Sequence, residues 1–161
     1  MALIVEDGTG VTDAESYCAV AAADKYFSDR EISAWATYAP PTKEAALRKA
    51  TEYIDMRFGK RFLGSKTLRD QSLCFPRGCE PVIPRDLQRA CAEYALRAAV
   101  NPLVQDPLTD TTGLVIKSTS EKLGPLEEKV EYATTERDLF KPYPAADNLL
   151  KSLLRTPGLI R

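Results

Sequence analysis

The residue types that carry most enzymatic chemistry are missing or scattered in this chain. Histidine is absent from all 161 residues, so a Ser-His-Asp triad, a Cys-His pair and the usual His-containing metal sites cannot be assembled. Four cysteines, Cys18, Cys74, Cys79 and Cys91, match a Cys-only zinc site in number, but no two stand as C-x-x-C. Cys18 and Cys91 fall on apolar helical faces, so reduced core thiols are the expected reading. Ser118-Thr119-Ser120 has no base beside it, and Glu121 and Glu127-Glu128 lie on an expected turn, where solvated charge is the simplest account. The eight glycines form no phosphate-cradling loop. Catalytic residues, metal ligands and cofactors are therefore not expected.

One run does suggest chemistry. Arg57, Lys60, Arg61, Lys66 and Arg69 follow one another with no acid before Asp70, interleaved with Phe58 and Phe62. Cations track phosphates while bases stack on aromatic rings, so the run could bind a single strand. The competing reading is structural: two phenylalanines one helical turn apart suit a core face, with the cations complementing a helix C-terminus. In a third reading the cations face double-stranded DNA passing through a ring and touch only its backbone, without sequence specificity. The 22 basic and 23 acidic residues nearly cancel, so any such contact must be local.

The elements that would position these residues are mostly helical. Thr12 and Glu15 have capping-box spacing, and Ala14, Tyr17, Cys18, Ala21 and Phe27 continue an apolar face, which predicts a first helix over 13–28. Trp35 follows, expected between helices. After Pro40-Pro41, Thr42 can cap a second helix in which Leu47, Ala50, Ile54 and Phe58 face inward, with Glu44 and Arg48 outside, running to about Phe62. Gly64, Pro76, Gly78 and Pro81 punctuate a long connection, a length that usually signals function or an interface. Pro84 suits the first turn of a third helix with a stripe of Leu87, Ala90, Cys91, Tyr94 and Ala98, ended by Asn101-Pro102.

Beyond Pro102 the period changes. Residues 114–117 and 129–132 read as two strands about ten residues apart, a projecting arm that should rest on its own bundle or a neighbouring subunit, with Leu114, Ile116, Val130 and Tyr132 the subunit-interface candidates. Leu149, Leu150, Leu153 and Leu154 then mark a short helix from about Ala145, behind a Pro-rich tether. With Leu159, Ile160 and Arg161 they form the expected docking segment. The expected fold class is mainly α: a small bundle of about four helices with a protruding β-hairpin and a tethered C-terminal helix. The expected organisation is a bundle core over 1–101, an arm and linker over 102–144, and a docking helix and tail over 145–161, one domain overall. The apolar start, Met1 to Val5, is too short for a signal-peptide core or a membrane span, so a cytoplasmic protein without a membrane partner is expected.

With these segments in view, the chain resembles a family of tailed-phage head–tail connector, adaptor or head-completion proteins, some of them described as DnaT-like single-stranded-DNA-binding proteins. Residues 1–10, Met-Ala-Leu-Ile-Val-Glu-Asp-Gly-Thr-Gly, with Ala14, Ser16 and Tyr17, look like the family's opening signature, and Ala23-Asp24, Tyr26-Phe27 and Trp35 fit its spacing. Lys43 to Leu47 with Tyr53-Ile54-Asp55 resembles its second helix, and Gln71 to Arg77 its Gln-x-Leu-x-aromatic-Pro-Arg loop. Ile83-Pro84, the segment Ile116 to Tyr132 and Leu149-Leu150 extend the likeness over nearly the whole chain. Cys74, Cys79 and Cys91 depart from the pattern. The resemblance implies a non-catalytic subunit of a ring, typically dodecameric, with channel DNA at its centre. It implies a place in the virion neck after synthesis in a bacterial cytoplasm, with the portal protein and a tail or stopper protein as partners. The alternative it carries is a replication-associated, single-stranded-DNA-binding protein.

Overall fold

A computed structural model describes residues 2–78, 82–104, 116–122, 127–132 and 140–155, the two stretches between 116 and 132 by their backbone alone. The described residues contain four α-helices: α1 (Val20–Ser28), α2 (Pro40–Phe58), α3 (Arg85–Ala98) and α4 (Pro144–Leu150). The fold class is mainly α. None of these helices is long and apolar enough to cross a membrane. The chain divides into two compact units, Met1–Leu103 with Tyr143–Arg161, and Val104–Pro142.

In the helical unit α2 packs on α3, α3 on α4, and α1 against both α2 and α3. The spacing that marked α2 and α3 in the sequence is the spacing they bury. Leu47, Ala50, Ile54 and Phe58 of α2, and Leu87, Ala90, Cys91, Tyr94 and Ala98 of α3, are all in the core. Arg48 sits 3.7 Å from Glu44 one turn away and 3.0 Å from Glu15. Trp35, on a short 3-10 turn (Ser33–Thr37), packs at 5.1 Å from Phe27 of α1, and its indole N–H donates to Asp24 at 2.7 Å. Asp24 Oδ1 also accepts from Lys43 of α2 at 2.8 Å, so one carboxylate joins three elements.

Several boundaries differ from the sequence reading. The first helix begins at Val20, not residue 13, and the Thr12–Glu15 capping box does not form. Buried Glu6 organises this region instead: its carboxylate accepts from the N–H groups of Gly8, Gly10 and Val11 at 3.0, 2.9 and 2.9 Å. Gly8 and Gly10, at φ 104° and 84°, supply the left-handed backbone that wraps around it. Ser16 Oγ donates to the Cys18 carbonyl and accepts from the Cys18 N–H, and such local bonds compete with helix formation. In α2 the start moves the other way: Pro40 and Pro41 lie inside the first turn, where the missing N–H costs nothing, and Thr42 is not the cap. The helix ends at Phe58, and Gly59–Arg61 continue as a 3-10 turn.

The long connection after Gly64 is stitched to the unit by polar side chains. Gln71, 3 % exposed, receives the Leu68 N–H and donates to the carbonyls of Leu73 and Pro76. Arg77 donates to the Leu63, Cys74 and Gly64 carbonyls. Asp55 of α2 accepts from the Tyr17 hydroxyl and the Cys74 N–H, the latter at 2.9 Å. The Gln-x-Leu-x-aromatic-Pro-Arg segment is thus explained by internal hydrogen bonding.

In the second unit β1 (Ile116–Lys122) and β2 (Glu127–Tyr132) pair antiparallel, Ile116 with Tyr132 and Thr119 with Val130. Both strands are longer than expected and leave only 123–126 between them, rather than about ten residues. Leu114 lies outside the described residues, as do the side chains of Ile116, Val130 and Tyr132.

Two predictions follow from these local features. Glu31, at φ 57°, occupies the left-handed C′ position after α1, where Ile32 N–H bonds the Phe27 carbonyl and Glu31 N–H that of Ser28. Glycine is at ease there, so Glu31→Gly should raise stability by about 0.5–1 kcal/mol, read as a higher urea midpoint. Burial raises the Asp55 pKa above its ordinary 3.8. A carboxyl with a raised folded pKa contributes stability at low pH that fades as pH climbs from 3.8 through the folded value. The stability of the wild type relative to Asp55→Asn should therefore be greatest near that lower limit and decline above it, measured by denaturation at several pH values.

Candidate nucleic-acid interface

The cation run does not act as one surface. Phe58 and Phe62 are 3 % and 1 % exposed, so neither ring can stack on a base, and the core reading of the pair is the one realised. Arg57 turns inward, its guanidinium bonded to both Asp147 oxygens at 3.0 and 3.1 Å and lying over the Phe58 and Tyr53 rings. Lys66 is directed at the Gln71 and Ser72 carbonyls of its own loop. Lys60 and Arg69 are exposed and Arg61 partly so.

What joins the remaining cations is the end of the chain. Asp147 of α4 receives the Arg57 fork, the Tyr94 hydroxyl of α3 and, at 3.1 Å, the Tyr143 N–H at its own helix start. Around it the rings of Tyr53, Tyr94 and Tyr143 lie 5.0 to 6.1 Å apart in tilted and edge contacts. Desolvation, followed by the bond to Asp147, pushes the Tyr94 hydroxyl far above its ordinary pKa, so it stays a donor at neutral pH. Ala146 and Leu150 are fully buried on this surface. The expectation of a tethered helix docking remotely is therefore corrected: α4 belongs to the helical unit and buries Ala146 and Leu150 there. Leu149, Leu153 and Leu154 are half-buried. Leu159, Ile160 and Arg161 lie outside the described residues.

Past α4 a 3-10 turn (Lys151–Leu153) leads into a two-residue antiparallel bridge, Phe62 opposite Leu154. Leu63 N–H donates to the Leu153 carbonyl at 3.0 Å and Arg155 N–H to the Arg61 carbonyl at 2.8 Å. Side chains alternate across a bridged pair, and directly opposed residues share a face. Since Phe62 points into the core, Arg61 and Arg155 share the outer face. Lys60 precedes one and Lys151 lies four residues before the other, and among the described residues none of these four is in an ion pair. Lys151 and Arg155 escaped the sequence reading because they stand about ninety positions from Arg61. Their only local signal was a cation on either side of Leu153-Leu154.

The three described thiols are not activated for chemistry. Cys18 and Cys91 are buried and Cys74 half-buried, while Cys79 lies outside the described residues. Burial pushes the Cys74 and Cys91 thiols up to about 11, and Cys18 higher still, so all three are protonated at neutral pH. Among the described residues no group of three or more potential ligands could hold a metal ion.

Fold and edge together define a small α-helical protein in which Arg61 and Arg155 share an outer face, with no ion pair to either among the described residues. A model of the family described as "Putative DnaT-like ssDNA binding protein" matches residues 1–160, and the chain belongs to that family. No curated protein and no solved structure matches it. The family finding overturns the expectation of a structural head–tail connector. It agrees with the alternative attached to that resemblance.

The Asp147 node carries its own prediction. Asp147→Ala removes the carboxylate that receives the Arg57 fork and the Tyr94 hydroxyl, at a site where both charged partners are under one-fifth exposed. The loss should be about 2–4 kcal/mol in chemical denaturation. Amide exchange over 144–155 should accelerate more than exchange in α2, because α4 loses its anchor while the α2–α3 core remains.

Proposed function

We propose that this protein binds single-stranded DNA through the edge formed by Lys60, Arg61, Lys151 and Arg155, holding the phosphate backbone and performing no bond chemistry on it. The observation that carries the reading is the Phe62–Leu154 bridge, which sets Arg61 and Arg155 on one outer face. Membership of a family described as single-stranded-DNA-binding supports it. The near-zero net charge accommodates it too, because a local cluster can bind where the whole molecule exerts little field. Exposed Arg69 can extend the contact along the strand. With Phe58 and Phe62 buried, base stacking by that pair plays no part, so affinity rests on counter-ion release and shows little sequence preference. A single copy presents all four cations, so the reading requires no ring.

Titration of a fluorescein-labelled oligothymidine by anisotropy tests this. Four phosphate contacts correspond to a slope of log affinity on log salt of about −3, a loss of roughly 50-fold between about 50 and 200 mM. Changing Lys60, Arg61, Lys151 and Arg155 together to Ala should abolish most binding and flatten that slope. The Phe58→Leu variant should keep the slope. Salt-independent binding that survives the quadruple change would overturn the reading.

A further inference from the structure

We propose that the recess between α1 and α3 is a second anion site, one that takes a phosphate monoester. The recess measures about 180 Å³ and has four cations on its rim, Lys25 and Arg30 from α1 and its end, and Arg85 and Arg89 from α3. Its one carboxylate is Asp29, held by Lys25 at 3.0 Å one helical turn away. Arg85 and Arg30 are in no ion pair among the described residues, and Arg89 forms a long one with Asp86 at 3.6 Å. Such an excess of cations around a concavity raises its positive potential and favours a multiply charged anion.

The geometry narrows the ligand. Small side chains, Cys18, Ala22 and Ala92, line the recess and leave it open. Its volume is below the roughly 300 Å³ at which sites for whole small molecules begin, so it suits a compact headgroup. Arg30 is pre-positioned: its Nη1 donates to the Tyr26 carbonyl at 3.0 Å and its guanidinium lies 3.7 Å from the Tyr26 ring centroid. The Tyr26 hydroxyl in turn donates to Glu93 of α3 at 3.0 Å, which fixes the two walls relative to each other. Arg85 and Arg89 lie one turn apart at the N-terminal end of α3, where the helix dipole adds positive potential to the guanidinium forks. A monoester carries nearly two negative charges at neutral pH and three acceptor oxygens, against a single charge on a backbone diester, so it uses more of this rim. Another recess, about 600 Å³ beside Trp35, has Asp24 and Glu31 against Lys43 and repels the same ligand.

The monoester could sit at the 5′ end of a nucleic acid strand or on a free small molecule, and two titrations separate these sources. In the first, inorganic phosphate is added to the isotope-labelled full chain in chloride buffer, followed by amide chemical shifts. Saturable shifts confined to 25–30 and 85–92 are expected, weakened about tenfold by Arg85→Ala and less by Arg85→Lys. In the second, 5′-phosphorylated and 5′-hydroxyl oligothymidine are compared on the chain that lacks the Lys60, Arg61, Lys151 and Arg155 cations, which keeps the outcome independent of that edge. A preference for the phosphorylated end, lost in Arg85→Ala with Arg89→Ala, assigns the site to strand ends. Equal affinity for both ends, with inorganic phosphate still bound, assigns it to a small phosphate compound. Shifts that never saturate, or that persist unchanged in a folded Arg85→Ala, Arg89→Ala chain, overturn the proposal.

Discussion

The bond of Asp147 to Arg57 and Tyr94 is the interaction on which the placement of α4, and of the Arg61–Arg155 edge beyond it, depends. The chain leaves this unit after Leu103 and returns only at Tyr143, with a separate compact unit in between. A seven-residue helix has little stability of its own, so α4 holds its place through tertiary contacts. Leu150 and Ala146 provide apolar burial, which is non-directional. The two-pronged fork from Arg57 sets rotation and height, because a planar guanidinium accepts a carboxylate in few orientations.

Fixing α4 has its effect some residues further on. Once Leu150 is seated, Lys151–Leu153 turn and Leu154 falls opposite Phe62, which aligns Arg155 with Arg61. A charge pair at one position thus helps set where Lys151 and Arg155 stand relative to Lys60 and Arg61. Arg57, first in the cation run, is spent on this structural duty, which is why the run does not act as a continuous strip.

Polar side chains, buried in Glu6 and Gln71 and partly exposed in Asp55 and Asp24, do comparable work elsewhere. Glu6 gathers three amides at the N-terminus, Gln71 closes the loop after Gly64, Asp55 ties that loop to α2, and Asp24 joins Trp35 to Lys43. Each satisfies backbone or ring donors that would otherwise be costly to bury. Segments that look irregular in sequence are tied down by these bonds, the Gly64 connection among them.

Helix periodicity made α2 and α3 legible, because their buried faces repeat every three or four residues and nothing else competes for those side chains. The Thr12 capping box misled, since a local pattern cannot reveal that Glu6 and Ser16 hold the backbone in another shape. The missing histidine and the exclusion of triads needed no structure, composition being independent of fold. Which cations face solvent together needed one: Arg61 and Arg155, like Arg30 and Arg85, come from distant stretches of chain, and only packing of the elements between them decides whether they meet.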